Sequence, residues 1–232
     1  MKITIIHGQS HKGSTYKIAT DLASKLNGEV KEFFLPKDFN DFCLGCTTCF
    51  MKDEKKCPHY EKLVPITNAI LEADVLIFAS PVYVYHVTAG MKNLLDHYGY
   101  LWMVHRPAEA MFKKQAIVIS TAAGAGMKST IKDVKDSLFY WGVPKVYELG
   151  VAVAATNYEQ IKESKKKDIE KEEAKIAIKV IKRNGKVKPG FKTKAFFFLM
   201  HLLEKNGWNK KDVDYWCDKG WLGKARPWRK RK

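Results

Sequence analysis

The 232 residues carry 41 Lys and Arg against 25 Asp and Glu, a formal net charge of +16, and 46% of them are hydrophobic. That composition is globular, with room for one α/β domain and an extension, and no apolar run approaches the ~20 residues of a membrane-spanning helix. The start, MKITIIHG, lacks a signal-peptide cleavage pattern, and an odd count of 5 Cys argues against a secreted disulfide framework and for a reducing, cytoplasmic setting.

Residues 2–7 read as a buried strand through Ile3, Ile5 and Ile6. The strand runs into Gly8, Gln9, Ser10, His11, Lys12, Gly13, Ser14 and Thr15, and a helix is predicted over 14–26. A polar Gly/Ser loop between a strand and a helix N-terminus offers free backbone N–H groups, hydroxyls and the positive end of the helix to an anion. The order matches neither a P-loop nor a dinucleotide fingerprint, so a terminal monophosphate fits best. The plainer alternative is a helix capped by Ser14 or Ser10.

A second strand is predicted over 29–35. Next come Cys43, Cys46 and Cys49 at C-x2-C-x2-C spacing, with Cys57 before Pro58. Three readings stand for these four thiols: an iron–sulfur cluster, a structural zinc, and redox-active or free thiols, in that order. His59 is close enough in sequence to be a spare ligand but reads more simply as a surface residue. A helix over 60–71 leads to the most apolar strand, 75–79, which Ser80 and Pro81 are expected to end because proline cannot donate to a ladder. A loop with Tyr83 and Tyr85 at its rim follows, then an amphipathic helix over 88–98 with Met91, Leu94 and Leu95 inward. His86, His97 and His105 are scattered and read as hydrogen-bonded or surface residues.

The fourth strand, 115–120, opens into Thr121, Ala122, Ala123, Gly124, Ala125 and Gly126, a loop nearly bare of side chains that lets its backbone approach a ligand closely. A helix over 128–141, a fifth strand over 145–153 and a long charged helix over 158–183 complete the alternation, with Asn184 and Gly185 as its stop. Five alternating strands and helices predict a doubly wound, five-stranded parallel sheet. The three specialised loops then fall at the carboxyl ends of the strands, the layout of a mononucleotide site.

The charge is uneven. From Ile161 onward there are 23 Lys and Arg against 9 Asp and Glu, a net of +14. Division into a domain over 1–186 and an extension over 187–232 follows. The extension holds an AFFFLMHLL run at 195–203 and Trp208, Trp216, Trp221 and Trp228. Packing of these aromatics onto the chain's own domain or a second copy ranks first, membrane-surface attachment second, and nucleic acid last. Cys217 reads as a partly buried thiol.

The GQSHKGST, SPVYVY and TAAGAG loops, with CLGCTTC and Cys57, resemble those of the flavodoxin-like NAD(P)H-dependent FMN reductases, specifically the iron–sulfur flavoprotein group, over residues 1–153. The resemblance implies a flavodoxin-like fold. It implies an FMN phosphate held by Ser10, Lys12, Ser14 and Thr15, and an isoalloxazine lined by Pro81, Val82, Tyr83 and Val84. Backbone contacts to its pyrimidine edge would come from Thr121, Ala122, Ala123, Gly124 and Gly126. Cys43, Cys46, Cys49 and Cys57 would ligate a [4Fe-4S] cluster. The loop departs from the commoner G-S-P-R-K-x-G-N-T form, so Lys12 carries the charge without an arginine. The function implied is electron transfer from NAD(P)H or a ferredoxin through FMN to a small-molecule acceptor, in a homodimer or homotetramer. The rival class is a non-enzymatic, zinc-stabilised basic module for nucleic acid or a membrane surface.

Overall fold

The computed structural model describes residues 1–229. Five strands form one parallel sheet in the order β2-β1-β3-β4-β5: β1 (Lys2–His7), β2 (Glu29–Phe34), β3 (Val75–Pro81), β4 (Gln115–Ala122) and β5 (Lys145–Ala152). Between them run α1 (Ser14–Ser24), the short α2 (Thr48–Met51), α3 (Tyr60–Glu72), α4 (Ala89–His97) and α5 (Met127–Tyr140). After β5 come α6 (Glu163–Arg183), α7 (Phe191–Lys205) and α8 (Lys210–Asp218).

The period-2 alternation of strands builds the layers. Val75, Ile77 and Ala79 of β3 pack with Ile18 and Leu22 of α1 and Ile176 and Val180 of α6. Leu76 and Phe78 face the other way, onto Ile66 of α3, Met91 of α4 and Leu138 of α5. With helices on both faces, residues 75–79 of β3 and 116–119 of β4 are apolar and buried throughout, which is why these strands read as continuous runs. β1 pairs with β2 on one side and β3 on the other, so the winding direction reverses between β1 and β3. In open sheets of this kind the carboxyl ends at such a reversal are where ligands bind.

Element ends fall within two residues of expectation except at α6, which begins at Glu163 rather than near Tyr158. Residues ahead of it turn instead: the Gln160 amide donates to Asn157 Oδ1 at 3.1 Å, local side-chain bonding that competes with helix. β3 also continues through Ser80 and Pro81, which pair with Ser120 and Thr121. The missing proline N–H falls at the last position, and the Val82 amide then donates to the Thr121 carbonyl at 2.9 Å.

The extension folds back. Phe197 and Met200 of α7 and Trp216 and Trp221 are buried with Met103 and Phe112, and the Phe197 and Trp216 rings stack 4.7 Å apart. These aromatics thus pack onto the chain's own domain, while Phe191 and Phe198 stay exposed. Trp208 remains 60% exposed. Cys217 is exposed, not partly buried, because Trp216 takes the inward position and the next residue points roughly 100° around the helix. No helix among the described residues is long and apolar enough to cross a membrane.

Candidate functional site

The loops that leave β1, β3 and β4 meet beside the switch point. The first opens α1, whose N-cap is Gly13, with no side chain capping it. Neither Ser14 nor Ser10 plays that part. The first amides of the helix therefore lack a side-chain acceptor at its positive end. Ser14 and Thr15 are buried beneath them, while Ser10 and Lys12 are exposed. Lys12 Nζ sits 5.2 Å from the centre of the Tyr16 ring, at the flank of the loop.

The second loop is a tight turn. Tyr83 and His86 exchange both backbone hydrogen bonds, at 2.9 and 3.0 Å, around Val84 and Tyr85, both in the left-handed region at φ +49° and +66°. A β-branched valine there is strained, by roughly 1–3 kcal/mol, and such strain persists where the surroundings fix it. Here they do. Asp133 of α5 accepts from the Val87 amide at 3.2 Å and pairs with His86 Nδ1 at 3.0 Å, and the Ser129 hydroxyl donates to the Tyr85 carbonyl. The turn holds Val84 93% exposed and Tyr83 52% exposed, with Pro81 and Val82 half-buried behind them. The result is an apolar ledge over the sheet edge.

The third loop carries Ala123 and Gly124 exposed, with Thr121 buried. The Ala122 and Ala123 carbonyls accept from the Val153 and Ala154 amides at 2.8 and 3.1 Å, which fixes the loop's path. Gly126 has φ +98°, and a Cβ there would stand 2.6 Å from Val82 Cγ1. Only glycine lets the third loop lie this close to the second.

Side chains tie the three loops together. The Tyr83 hydroxyl donates to Gln9 Oε1 at 2.9 Å, the Thr15 and Thr121 hydroxyls are hydrogen-bonded at 2.7 Å, and the Thr88 hydroxyl donates to the Gly8 carbonyl. The bridging roles of Gln9, Thr88, Ser129 and Asp133 have no sequence signal, since each partner lies far away along the chain. The three loops that carry the residues expected around a phosphate, a flat ring and its polar edge thus lie side by side at the carboxyl ends of β1, β3 and β4.

The cysteine segment lies apart from those loops, held by α4 and the extension. Cys43 and Cys46 are exposed, and Cys49 and Cys57 are partly covered. Burial, then the neighbouring Cys57, Cys43 and Cys46, push the Cys49 thiol up to about 11, so the other three sulfurs lie within electrostatic reach of Cys49. Hydrogen bonds from the Thr48 side chain and amide pull Cys46 down. Buried Arg106 donates to the Cys49 and Phe50 carbonyls and to Asp212 of α8, and Asn209 Nδ2 reaches the Phe50 carbonyl at 3.2 Å. The basic extension thus supports the backbone of the cysteine loop, a role no motif announces.

The histidines resolve individually. His86 pairs with Asp133, and His105 Nδ1 donates to Asp212 at 2.8 Å. His97 is buried and sits 2.9 Å from His59, which is half-buried rather than on the surface.

The family model described as NADPH-dependent FMN reductase matches residues 1–157. An iron–sulfur flavoprotein from Archaeoglobus fulgidus is 32% identical over 130 residues, 54% of this chain and 55% of that protein. An iron–sulfur flavoprotein from Methanosarcina thermophila is 26% identical over 149 residues, 62% and 75% of the two chains. An NADPH:quinone oxidoreductase from Arabidopsis thaliana is 46% identical over 57 residues, 25% of this chain and 26% of that one. The chain spans about half the length of the first curated relatives it matches. Among solved structures, an azoreductase from Bacillus anthracis superposes with a TM-score of 0.58 at 16% identity, covering 77% of this chain and 99% of that one. An NAD(P)H:quinone oxidoreductase from Methanothermobacter marburgensis gives 0.59 at 16% identity, covering 75% and 94%. At such identities these likenesses establish the fold, a flavodoxin-like α/β sheet.

Proposed function

Because the chain belongs to the NADPH-dependent FMN reductase family, we propose that it is an FMN-dependent oxidoreductase that takes electrons from NADPH and passes them to a small-molecule acceptor. The observation that carries this reading is the convergence of three tied loops on an α1 N-terminus that no side chain caps. Those free amides, with the Ser10, Ser14 and Thr15 hydroxyls and the charge of Lys12, fit a phosphate. The strained ledge of Pro81, Val82, Tyr83 and Val84 fits the face of a planar ring. Backbone groups of Thr121, Ala122, Ala123, Gly124 and Gly126 would face the ring's polar edge and favour negative charge there through dipoles already in place.

FMN, when bound, supplies the hydride and single-electron chemistry. The protein's part is to hold, orient and tune it. Tyr83, tied to Gln9, is a ring-packing residue in this reading rather than a proton donor. The names of the relatives support a small-molecule acceptor, and a homodimer or homotetramer in the cytoplasm belongs to the same reading, as does the division of the chain at 186/187. The four cysteines fit a [4Fe-4S] cluster in one respect of their own: Cys43, Cys46 and Cys57 all lie near enough to Cys49 to act on its thiol, a set of thiolate donors that suits an iron–sulfur core. Cys43, Cys46, Cys49 and Cys57 would be its ligands, and a ferredoxin would then be a suitable electron partner.

The test is the double variant Lys12→Ala/Ser14→Ala. FMN occupancy after purification and FMN affinity by fluorescence quenching should both fall. Unchanged occupancy and affinity would reject the phosphate assignment.

A further inference from the structure

Three donors from two separate elements meet beside the cysteine loop. Cys57 and His59 lie on the turn that enters α3, separated by Pro58, and His97 is the last residue of α4. Cys57 Sγ and one ring nitrogen from each histidine all lie within 4.8 Å of one another, the one such set of three donors among the described residues.

The chemistry of His97 is fixed by its surroundings. Its Nδ1 lies 2.8 Å from the Asn93 carbonyl, which can only accept, so Nδ1 carries the proton and Nε2 presents a bare lone pair. That lone pair points at His59 Nδ1, 2.9 Å away. A ring nitrogen oriented by a carbonyl on its far side is the arrangement that metal-binding histidines use. Phe39, itself buried, packs edge-on at 4.8 Å against the His97 ring and restricts its rotation. Asn93 fixes the neighbouring segment too: its side chain donates to the Asp41 carbonyl at 2.8 Å and accepts from the Cys43 amide at 3.3 Å.

We propose that Cys57, His59 and His97 form a site for a single zinc-type ion, with three protein ligands and a fourth position open to water. One thiolate and two imidazoles are the borderline-soft set that zinc prefers. Zinc bonds of about 2.0–2.1 Å to nitrogen and 2.3 Å to sulfur place tetrahedral ligand atoms about 3.3–3.6 Å apart. The observed 2.9 Å between the imidazoles needs to open by only a few tenths of an ångström. On binding, the Cys57 thiol releases its proton to solvent, and the His59 proton moves from Nδ1 to Nε2, leaving Nδ1 free to ligate. One proton is released per ion bound and nothing is oxidised or reduced. Cys57 is also the fourth cysteine of the cluster set, so the single ion and a four-cysteine cluster are alternative occupants of that corner.

The experiment is a titration of the chelator-treated, reduced 232-residue chain with Co2+ under anaerobic conditions, followed by displacement with Zn2+. The expected result is one equivalent of Co2+ giving intense tetrahedral ligand-field bands and a thiolate charge-transfer band, all lost on adding Zn2+. His59→Gln and His97→Gln should each weaken binding at least tenfold. The triple variant Cys43→Ser/Cys46→Ser/Cys49→Ser should retain it. His59 is only half-buried, so its variant remains informative if substitution of buried His97 perturbs folding by circular dichroism. Failure of the parent chain to bind Co2+, or binding that survives both histidine variants and disappears in the triple serine variant, overturns the proposal. Iron and FMN contents, measured separately on the protein before chelator treatment, report on the cluster and flavin readings.

Discussion

Asp212 is fully buried at the start of α8, where its carboxylate accepts from His105 Nδ1 at 2.8 Å, Asn209 Nδ2 at 2.8 Å and Arg106 Nη1. Arg106 is 8% exposed, and its remaining donors go to the Cys49 and Phe50 carbonyls and, at 3.4 Å, to Glu54. Asp212→Ala leaves that guanidinium buried with its two carbonyl acceptors but only a long contact to a partly exposed carboxylate to balance its charge. Breaking a buried ion pair from one side costs about 3–5 kcal/mol, against a total stability of about 5–15 kcal/mol for a typical domain. Asp212→Asn keeps the shape and one acceptor, and should cost less, about 1–3 kcal/mol. Urea unfolding followed by tryptophan fluorescence measures both, with the slope checked for loss of two-state behaviour. A second readout reports on the loop itself: the Cys49 alkylation rate should rise in the alanine variant, because the Arg106 that holds its carbonyl is released. A loss under about 1 kcal/mol together with unchanged Cys49 alkylation would refute the view that the extension clamps this loop.

Gly126→Ala should lower stability by about 1–2 kcal/mol through left-handed backbone strain alone, with more from the 2.6 Å approach to Val82. It should also weaken FMN binding in a fluorescence titration, and an unchanged affinity would separate this loop from the site. Glu204 provides a pH signature. Burial, then the nearby charge of Asp212, push its carboxyl from 4.5 up to about 7, so between those values the folded chain holds a proton that the unfolded chain has released. Stability from this group is therefore present below about pH 4.5 and lost as pH rises through about 7. Glu204→Gln should remove that decline, gaining on the parent by roughly 1–3 kcal/mol between pH 5 and pH 8. Equal urea midpoints for the two proteins at both pH values would contradict it.

Residues whose role depends on near neighbours in sequence were legible. The apolar runs at β1, β3 and β4 announce strands covered on both faces, and the Gly/Ser, Ser-Pro-Val-Tyr and Ala/Gly segments announce their loops, because strand periodicity and turn chemistry act over a few residues. The start of α6 was misread for the same reason: Ile161 is buried as a helix residue would be, but on a turn held by Asn157. The aromatic extension was legible as something that had to be covered, though not as the support of a cysteine loop.

By itself, then, the sequence determined the α/β alternation, the parallel sheet, the three specialised loops and the thiol-rich segment, each written in local pattern. Tertiary structure alone decided what the polar groups do when those elements close. It set His97 against His59, Arg106 against Asp212 and Tyr83 against Gln9. It also left the N-terminus of α1 without a side-chain cap. Such pairings have no sequence period. Each exists because burial removes water from a charge or lone pair, and the partner that replaces water is whichever group the fold brings within hydrogen-bond reach.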